Sequence, residues 1–136
     1  MTKLVLDTNI YIDWLNRGLR EEHLIGRGVI RYLSAVVQME LRMGTRTAQA
    51  RRALDQLFSA YRAGGRIITP SPAIYDDAGQ VLQQLSDAGR EVRRAALVHD
   101  VLIALSARSI GATLITANPG DFVAIRKLTD FSLQVA

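Results

Sequence analysis

Four of the thirteen acidic residues stand apart from the rest by the company they keep. Asp7 directly follows the apolar run Leu4-Val5-Leu6, at the carboxyl end of a strand, where open α/β sheets place ligand-binding groups. The same position also suits an aspartate that caps the next helix. Glu40 lies in Ala35-Val36-Val37-Gln38-Met39-Glu40-Leu41, and a carboxylate amid such neighbours is costly to bury without a cation or strong donors. Arg42 and Arg46 are close enough in sequence to be such donors. Asp100 opens the run Val101-Leu102-Ile103-Ala104-Leu105, with small Ala104 and Ala107 on its face. By itself it also reads as a first-turn acid matched to the helix dipole. Asp121 follows Asn118-Pro119-Gly120 and is expected on a loop, where alone it would be an ordinary turn aspartate. Taken together, the four offer what a hard dication requires: oxygen ligands, charge compensation and open positions for water and phosphate.

Other chemistries find no support. Asp13 shares a helix face with Asn9, Asn16 and Arg17, and an i,i+4 pair with Arg17 accounts for it at the surface. His23 and His99 are too few for a nucleophilic triad, and no Gly-x-Ser-x-Gly or Ser-x-x-Lys pattern occurs. His99 beside Asp100 reads as structural, or at most a nearby polar contact. The glycines form neither a P-loop nor a dinucleotide fingerprint.

The elements that must position these acids follow from periodicity and caps. Residues 3–6 form a strand that ends in Asp7-Thr8-Asn9, and Ile10, Tyr11, Trp14 and Leu15 then share a helical face. A second strand, 29–33, leads to Ser34 as cap of a helix over 35–42, closed by Gly44. A longer amphipathic helix spans 47–63 and ends at Gly64-Gly65, followed by a short strand over 66–69. Ser71-Pro72 starts a helix over 73–87; a final helix over 99–109 precedes a strand at 113–116 and an edge strand at 133–135. Strands alternating with helices predict a parallel sheet covered on both faces, with the active site outside the carboxyl ends of its strands.

At 136 residues and 49% hydrophobic content the chain matches one globular domain, 1–136, with a real core. The absence of cysteine excludes disulfides, thiolate catalysis and zinc–sulfur sites, and fits a reducing cytoplasm. The apolar start is too short for a signal-peptide core or a membrane span. The formal charge is +4, and arginine supplies fifteen of the seventeen basic residues; its planar fork suits phosphate, so nucleic acid is a natural partner. Coding bias on a solvated surface explains the arginines equally well.

Four blocks carry a resemblance: Leu6-Asp7-Thr8-Asn9-Ile10, the stretch from Ser34 to Glu40-Leu41, Asp100-Val101-Leu102-Ile103-Ala104, and Thr116-Ala117-Asn118-Pro119-Gly120-Asp121-Phe122. In this order and over nearly the whole chain, they resemble the signature of PIN-domain nucleases, in particular the VapC-type toxins of bacterial toxin–antitoxin pairs. The resemblance implies a three-layer α/β/α domain with a mainly parallel central sheet of about four to five strands. It implies that Asp7, Glu40, Asp100 and Asp121 are the catalytic acids and bind Mg²⁺ or Mn²⁺, with Thr8, Asn9, Thr116 and Asn118 orienting carboxylates or metal-bound water. Turn and cap chemistry favours the same four residue types. The implied activity is hydrolysis of RNA phosphodiesters by a cytoplasmic endoribonuclease. The implied partners are RNA, a second copy of the chain, and a cognate antitoxin whose tail covers the site. Two features depart from the pattern: His99 precedes the third acid, and no second acid accompanies Asp121.

Two rivals remain on the residues. An aspartyl phosphatase would use Asp7 as nucleophile, but Asn9 stands where the general acid is needed. A non-catalytic RNA-binding or scaffold protein of the same fold would bind through its arginines and keep its acids as structure. The intact acidic set argues against the second.

Overall fold

Three apolar residues in succession, Leu4-Val5-Leu6, mark a strand buried on both faces, and in the computed structural model, which describes residues 1–136, all three are buried. They belong to β1 (Thr2–Leu6), the middle of a five-stranded sheet. β2 (Val29–Ser34) and β3 (Ile67–Ile68) lie on one side of it, β4 (Thr113–Thr116) and β5 (Ser132–Val135) on the other. Every pairing is parallel, with Leu4 level with Arg31 and Thr113, and Leu114 level with Leu133.

Because parallel neighbours need crossover helices of one hand, the strand order decides which helix covers which face. The path β1 to β2 to β3 steps in one direction and carries α1 (Thr8–Arg17), α2 (Glu21–Leu24), α3 (Ala35–Met43) and α4 (Ala48–Ala63). The path β3 to β4 to β5 steps back and carries α5 (Pro72–Asp87), α6 (Ala95–Ser109) and α7 (Gly120–Arg126) on the other face. The contacts agree: α1 packs on α3 and α3 on α4, while α5, α6 and α7 pack on one another. This is the expected three-layer α/β/α arrangement, its sheet wholly parallel. The order reverses between β1 and β4, so a crevice opens beyond their carboxyl ends.

The caps act as their residue types dictate. Ser34 accepts from the Val36 N–H, Thr47 from Ala50 and Ser71 from Ile74, with Pro72 in the first turn. Two expectations shift, and one short helix was not expected. α6 begins at Ala95 rather than at 99, because Leu97, fully buried, already belongs to its apolar face although no side chain caps the start. Asp121 is not on a loop but in the first turn of α7, where the helix N-terminus favours an acid. The short α2 carries no buried residue and so leaves no apolar periodicity to read.

Twenty-eight buried apolar residues form one cluster shared by both layers. α6 supplies Leu97 and Val101 through Leu105, as befits a helix wedged between sheet and neighbours. Val36, Val37, Leu41, Leu54, Phe58 and Tyr61 are core. Met39 and Met43 of the same helices stay exposed.

Candidate active site and metal centre

Asp7 ends β1 and caps α1, so its backbone is fixed from both sides: its N–H donates to Ile115 O across the sheet (2.9 Å) and its Oδ1 accepts from the Thr8 N–H (2.8 Å). The Thr116 hydroxyl, at the end of β4, donates to Asp7 Oδ2 at 2.8 Å, and Asn9 Nδ2 donates to the same oxygen at 3.1 Å. Asn9 is itself oriented, its Oδ1 accepting the Ala117 N–H at 3.1 Å, while Thr116 Oγ1 accepts the Asn118 N–H at 3.0 Å. Two adjacent strand ends thus lock one buried carboxylate. Burial raises its pKa; the Thr116, Thr8 and Asn9 bonds oppose that, and the charge of Glu40 adds to it.

Glu40 reaches the site from α3. Its Oε1 accepts from Thr8 Oγ1 at 2.7 Å, and its Oε2 lies 3.2 Å from His99 Nδ1 on α6. The expected donors, Arg42 and Arg46, do not reach it: Arg42 pairs with Asp55 at 2.6 Å and stacks over Phe58. His99 is therefore a polar partner of an acid in the cluster.

Asp100 is the one acid of the four without a hydrogen-bonding or ion-pair partner. Burial first, then the negative charges of Asp7, Asp121 and Glu40, push its pKa up to about 8 against the pull of Arg94. The carboxylates are thus close enough to repel one another, and Asp100 bears the cost. Asp121 stands at the rim, with Arg90 Nη1 3.1 Å from Oδ1 and Arg94 Nη2 3.1 Å from Oδ2. Asp13 lies outside this group, 3.3 Å from Arg20 and 3.8 Å from Arg17.

A family model for the PIN domain matches residues 4–128. The chain belongs to the PIN-domain family. Solved structures share the fold along the whole PIN domain. One is VapBC-1 from nontypeable Haemophilus influenzae, 25% identical at TM-score 0.71 and covering 98% of each chain. DNA-bound VapBC from Salmonella typhimurium is 23% identical at TM-score 0.72, covering 99% of this chain and 98% of that one. VapBC-5 from Mycobacterium tuberculosis, a member of a family of toxin–antitoxin systems, is 23% identical at TM-score 0.65, with 99% and 98% covered. No curated protein matches the chain.

The donor chemistry of this PIN domain suits a hard cation: all-oxygen acids, one held by three donors and one with no counter-charge of its own. In this side-chain arrangement no three His, Asp or Glu groups converge to hold an ion between them, because Glu40 is turned to Thr8 and His99, and Asp121 to Arg90 and Arg94. Asp7 and Asp100 are the two of the four acids with no ion-pair partner. Of the expected support residues, Thr8, Asn9 and Thr116 touch the acids by side chain, whereas Asn118 acts through its backbone N–H. Sequence reasoning missed Arg90 and Arg94; the only signal was the run Gly89-Arg90-Glu91-Val92-Arg93-Arg94.

Proposed function

We propose that this PIN domain is a VapC-type toxin, a metal-dependent endoribonuclease that hydrolyses RNA phosphodiesters at the Asp7–Glu40–Asp100–Asp121 cluster. The observation that carries the reading is Asp100: a half-buried carboxyl with no donor, raised to about 8 by burial and by three neighbouring acids, at the crevice where the strand order reverses. A fold has no structural use for such an acid, whereas a dication site needs it. Asp7, Glu40, Asp100 and Asp121 would hold Mg²⁺ or Mn²⁺. When bound, the ion supplies acidification of a water and offsets charge developing on the phosphate. Thr116, Asn9 and the Thr8 N–H keep Asp7 in one orientation, and the Thr8 hydroxyl and His99 fix both oxygens of Glu40.

Solved structures of like fold include VapBC complexes, VapBC-5 among them a member of a family of toxin–antitoxin systems, which supports an antitoxin partner for this chain. A groove of about 540 Å³ between α1, α3 and α4 is lined by Ile12, Leu15, Leu41, Ala53 and Leu54 and includes Glu40 and Arg46. It suits the apolar tail of such a partner, with a basic side chain reaching Glu40. The chain would act as a homodimer in the cytoplasm; no helix is long and apolar enough to cross a membrane.

The test is cleavage of total RNA by purified protein with Mg²⁺ or Mn²⁺. Activity should stop with EDTA and be lost in Asp7→Asn and Asp100→Asn, each variant remaining folded by circular dichroism. Cleavage that persists in EDTA and in both variants would sink the metal assignment.

A further inference from the structure

An acidic cluster that must admit a polyanion needs positive charge at its mouth, and of the fifteen arginines five are engaged elsewhere while two meet the cluster. Arg17 and Arg20 pair with Asp13, Arg42 with Asp55, and Arg31 and Arg66 bond backbone carbonyls. Arg90 and Arg94 are the pair that meets the cluster, and Arg94 is the one cation whose charge is felt at Asp100. Two guanidiniums on one carboxylate leave a net positive charge at the rim. Each has five N–H donors, and only Nη1 of Arg90 and Nη2 of Arg94 are engaged. Their side chains are 44% and 49% exposed, so the rest of each fork faces solvent.

The backbone beneath them is fixed. α5 ends in a left-handed Gly89 (φ 91°), with the Gly89 N–H on Ser86 O and the Arg90 N–H on Leu85 O, a closure that anchors Arg90. Arg94 is the N-cap residue of α6, its carbonyl accepting the Val98 N–H. Glu91 Oε1 accepts the Arg93 N–H and tightens the turn between them. The two arginines thus project from the closed ends of two helices rather than from a slack loop. Asp121 meets both at the rim of the cluster. Exposed ion pairs of this kind add little to folding, so the arrangement is explained better by what the forks can bind.

We propose that Arg90 and Arg94 form a phosphate clamp that grips the RNA backbone beside the scissile bond, with the helix ends that carry them fixing the two forks and Asp121 occupying one N–H of each. The clamp rests on the nuclease reading above. It assigns affinity and register to the loop between α5 and α6, leaving base choice to other surfaces.

The experiment uses a fluorescent single-stranded RNA 20-mer of mixed sequence, with Ca²⁺ in place of Mg²⁺, and reads anisotropy across 50–200 mM KCl. Arg90→Gln/Arg94→Gln should weaken binding about tenfold at low salt and flatten the log–log salt slope by about 1.4, two phosphate contacts at roughly 0.7 each. Arg62→Gln removes a charge from the last turn of α4, which leads into the amino end of β3 rather than to the carboxyl strand ends that carry the site, and should stay within twofold of wild type. Asp121→Asn should cleave poorly yet bind at least as tightly as wild type, because the arginines keep their place in the loop and lose a competitor. The clamp is overturned if the double glutamine variant keeps the wild-type affinity and slope, if Arg62→Gln weakens binding as much, or if Asp121→Asn loses binding in parallel with the arginine variants. Wild type that cleaves RNA while the double variant binds normally removes the clamp alone; wild type that neither binds nor cleaves removes the nuclease reading as well.

Discussion

Replacing Asp100 by Asn should make the metal-free protein more stable while abolishing its activity, and the size of the gain follows from its surroundings. The folded chain holds this carboxyl at about 8, against an ordinary value of 3.8, because burial and the charges of Asp7, Asp121 and Glu40 disfavour its ionised form. A raised carboxylate means that the folded state binds a proton that the unfolded chain has released. Its stabilising contribution is complete below about pH 4 and is lost progressively as pH rises to about 8. At pH 7.5 the cost of holding Asp100 in this site reaches a ceiling of about 5 kcal/mol, at ~1.4 kcal/mol per pH unit. Water reaching the half-buried group screens part of it, leaving about 2–3 kcal/mol. Asn keeps the shape and removes the titration, so in EDTA the variant should melt roughly 6–12 °C above wild type at pH 7.5 and nearly level with it at pH 4.5. Mn²⁺ should then raise the melting temperature of wild type and leave the variant unmoved. The assay is thermal unfolding by circular dichroism from pH 4.5 to 8.5, with and without metal. A variant no more stable than wild type at any pH, or one whose advantage shrinks as pH rises, would refute the picture of a mutually repelling acidic cluster.

Four further outcomes follow from named contacts. Thr116→Val removes the hydroxyl that donates to Asp7 Oδ2 and accepts the Asn118 N–H; denaturant unfolding should show a loss of about 1–3 kcal/mol, and cleavage should fall at least tenfold. His99→Ala takes away the partner of Glu40 Oε2, and Mn²⁺ affinity by calorimetry should drop about tenfold with stability changed by less than ~1 kcal/mol. Since Asp100 holds its proton up to about 8, metal binding near pH 7 should release roughly 0.9 proton, seen as a buffer-dependent binding enthalpy; an enthalpy independent of the buffer contradicts this. Ser106 Oγ is buried with no partner, so Ser106→Ala should raise stability by about 1 kcal/mol in the same unfolding assay.

Much of the fold was legible because its signals are local. Consecutive apolar residues in β1, the caps Ser34 and Ser71, and Pro72 in the first turn of α5 act within a few residues of chain, and the structure uses each as its type dictates. The start of α6 was misplaced because Arg94 offers no side-chain cap, and α2 passed unseen because it buries nothing. Asp121 was expected on a loop because Asn118-Pro119-Gly120 reads as a turn; the chain instead enters α7 directly after Pro119, and Asp121 falls in its first turn.

The sequence by itself determined the alternation of strands and helices, and the standing of Asp7, Glu40, Asp100 and Asp121 as acids in unusual surroundings. It also contained the four blocks that place the chain among PIN domains. Only the tertiary structure decided what each acid meets. Glu40 was expected to find an arginine close in sequence and finds Thr8, 32 residues away, and His99, 59 residues away. Asp121 was expected on a loop as one acid of the cluster, and it also meets Arg90 and Arg94 from across the α5–α6 turn. The physical reason is range: caps and periodicity act through the backbone over one or two turns, whereas the partners of a buried charge are chosen by which helix faces the reversal in strand order brings together. Nothing near either residue in the chain encodes that choice.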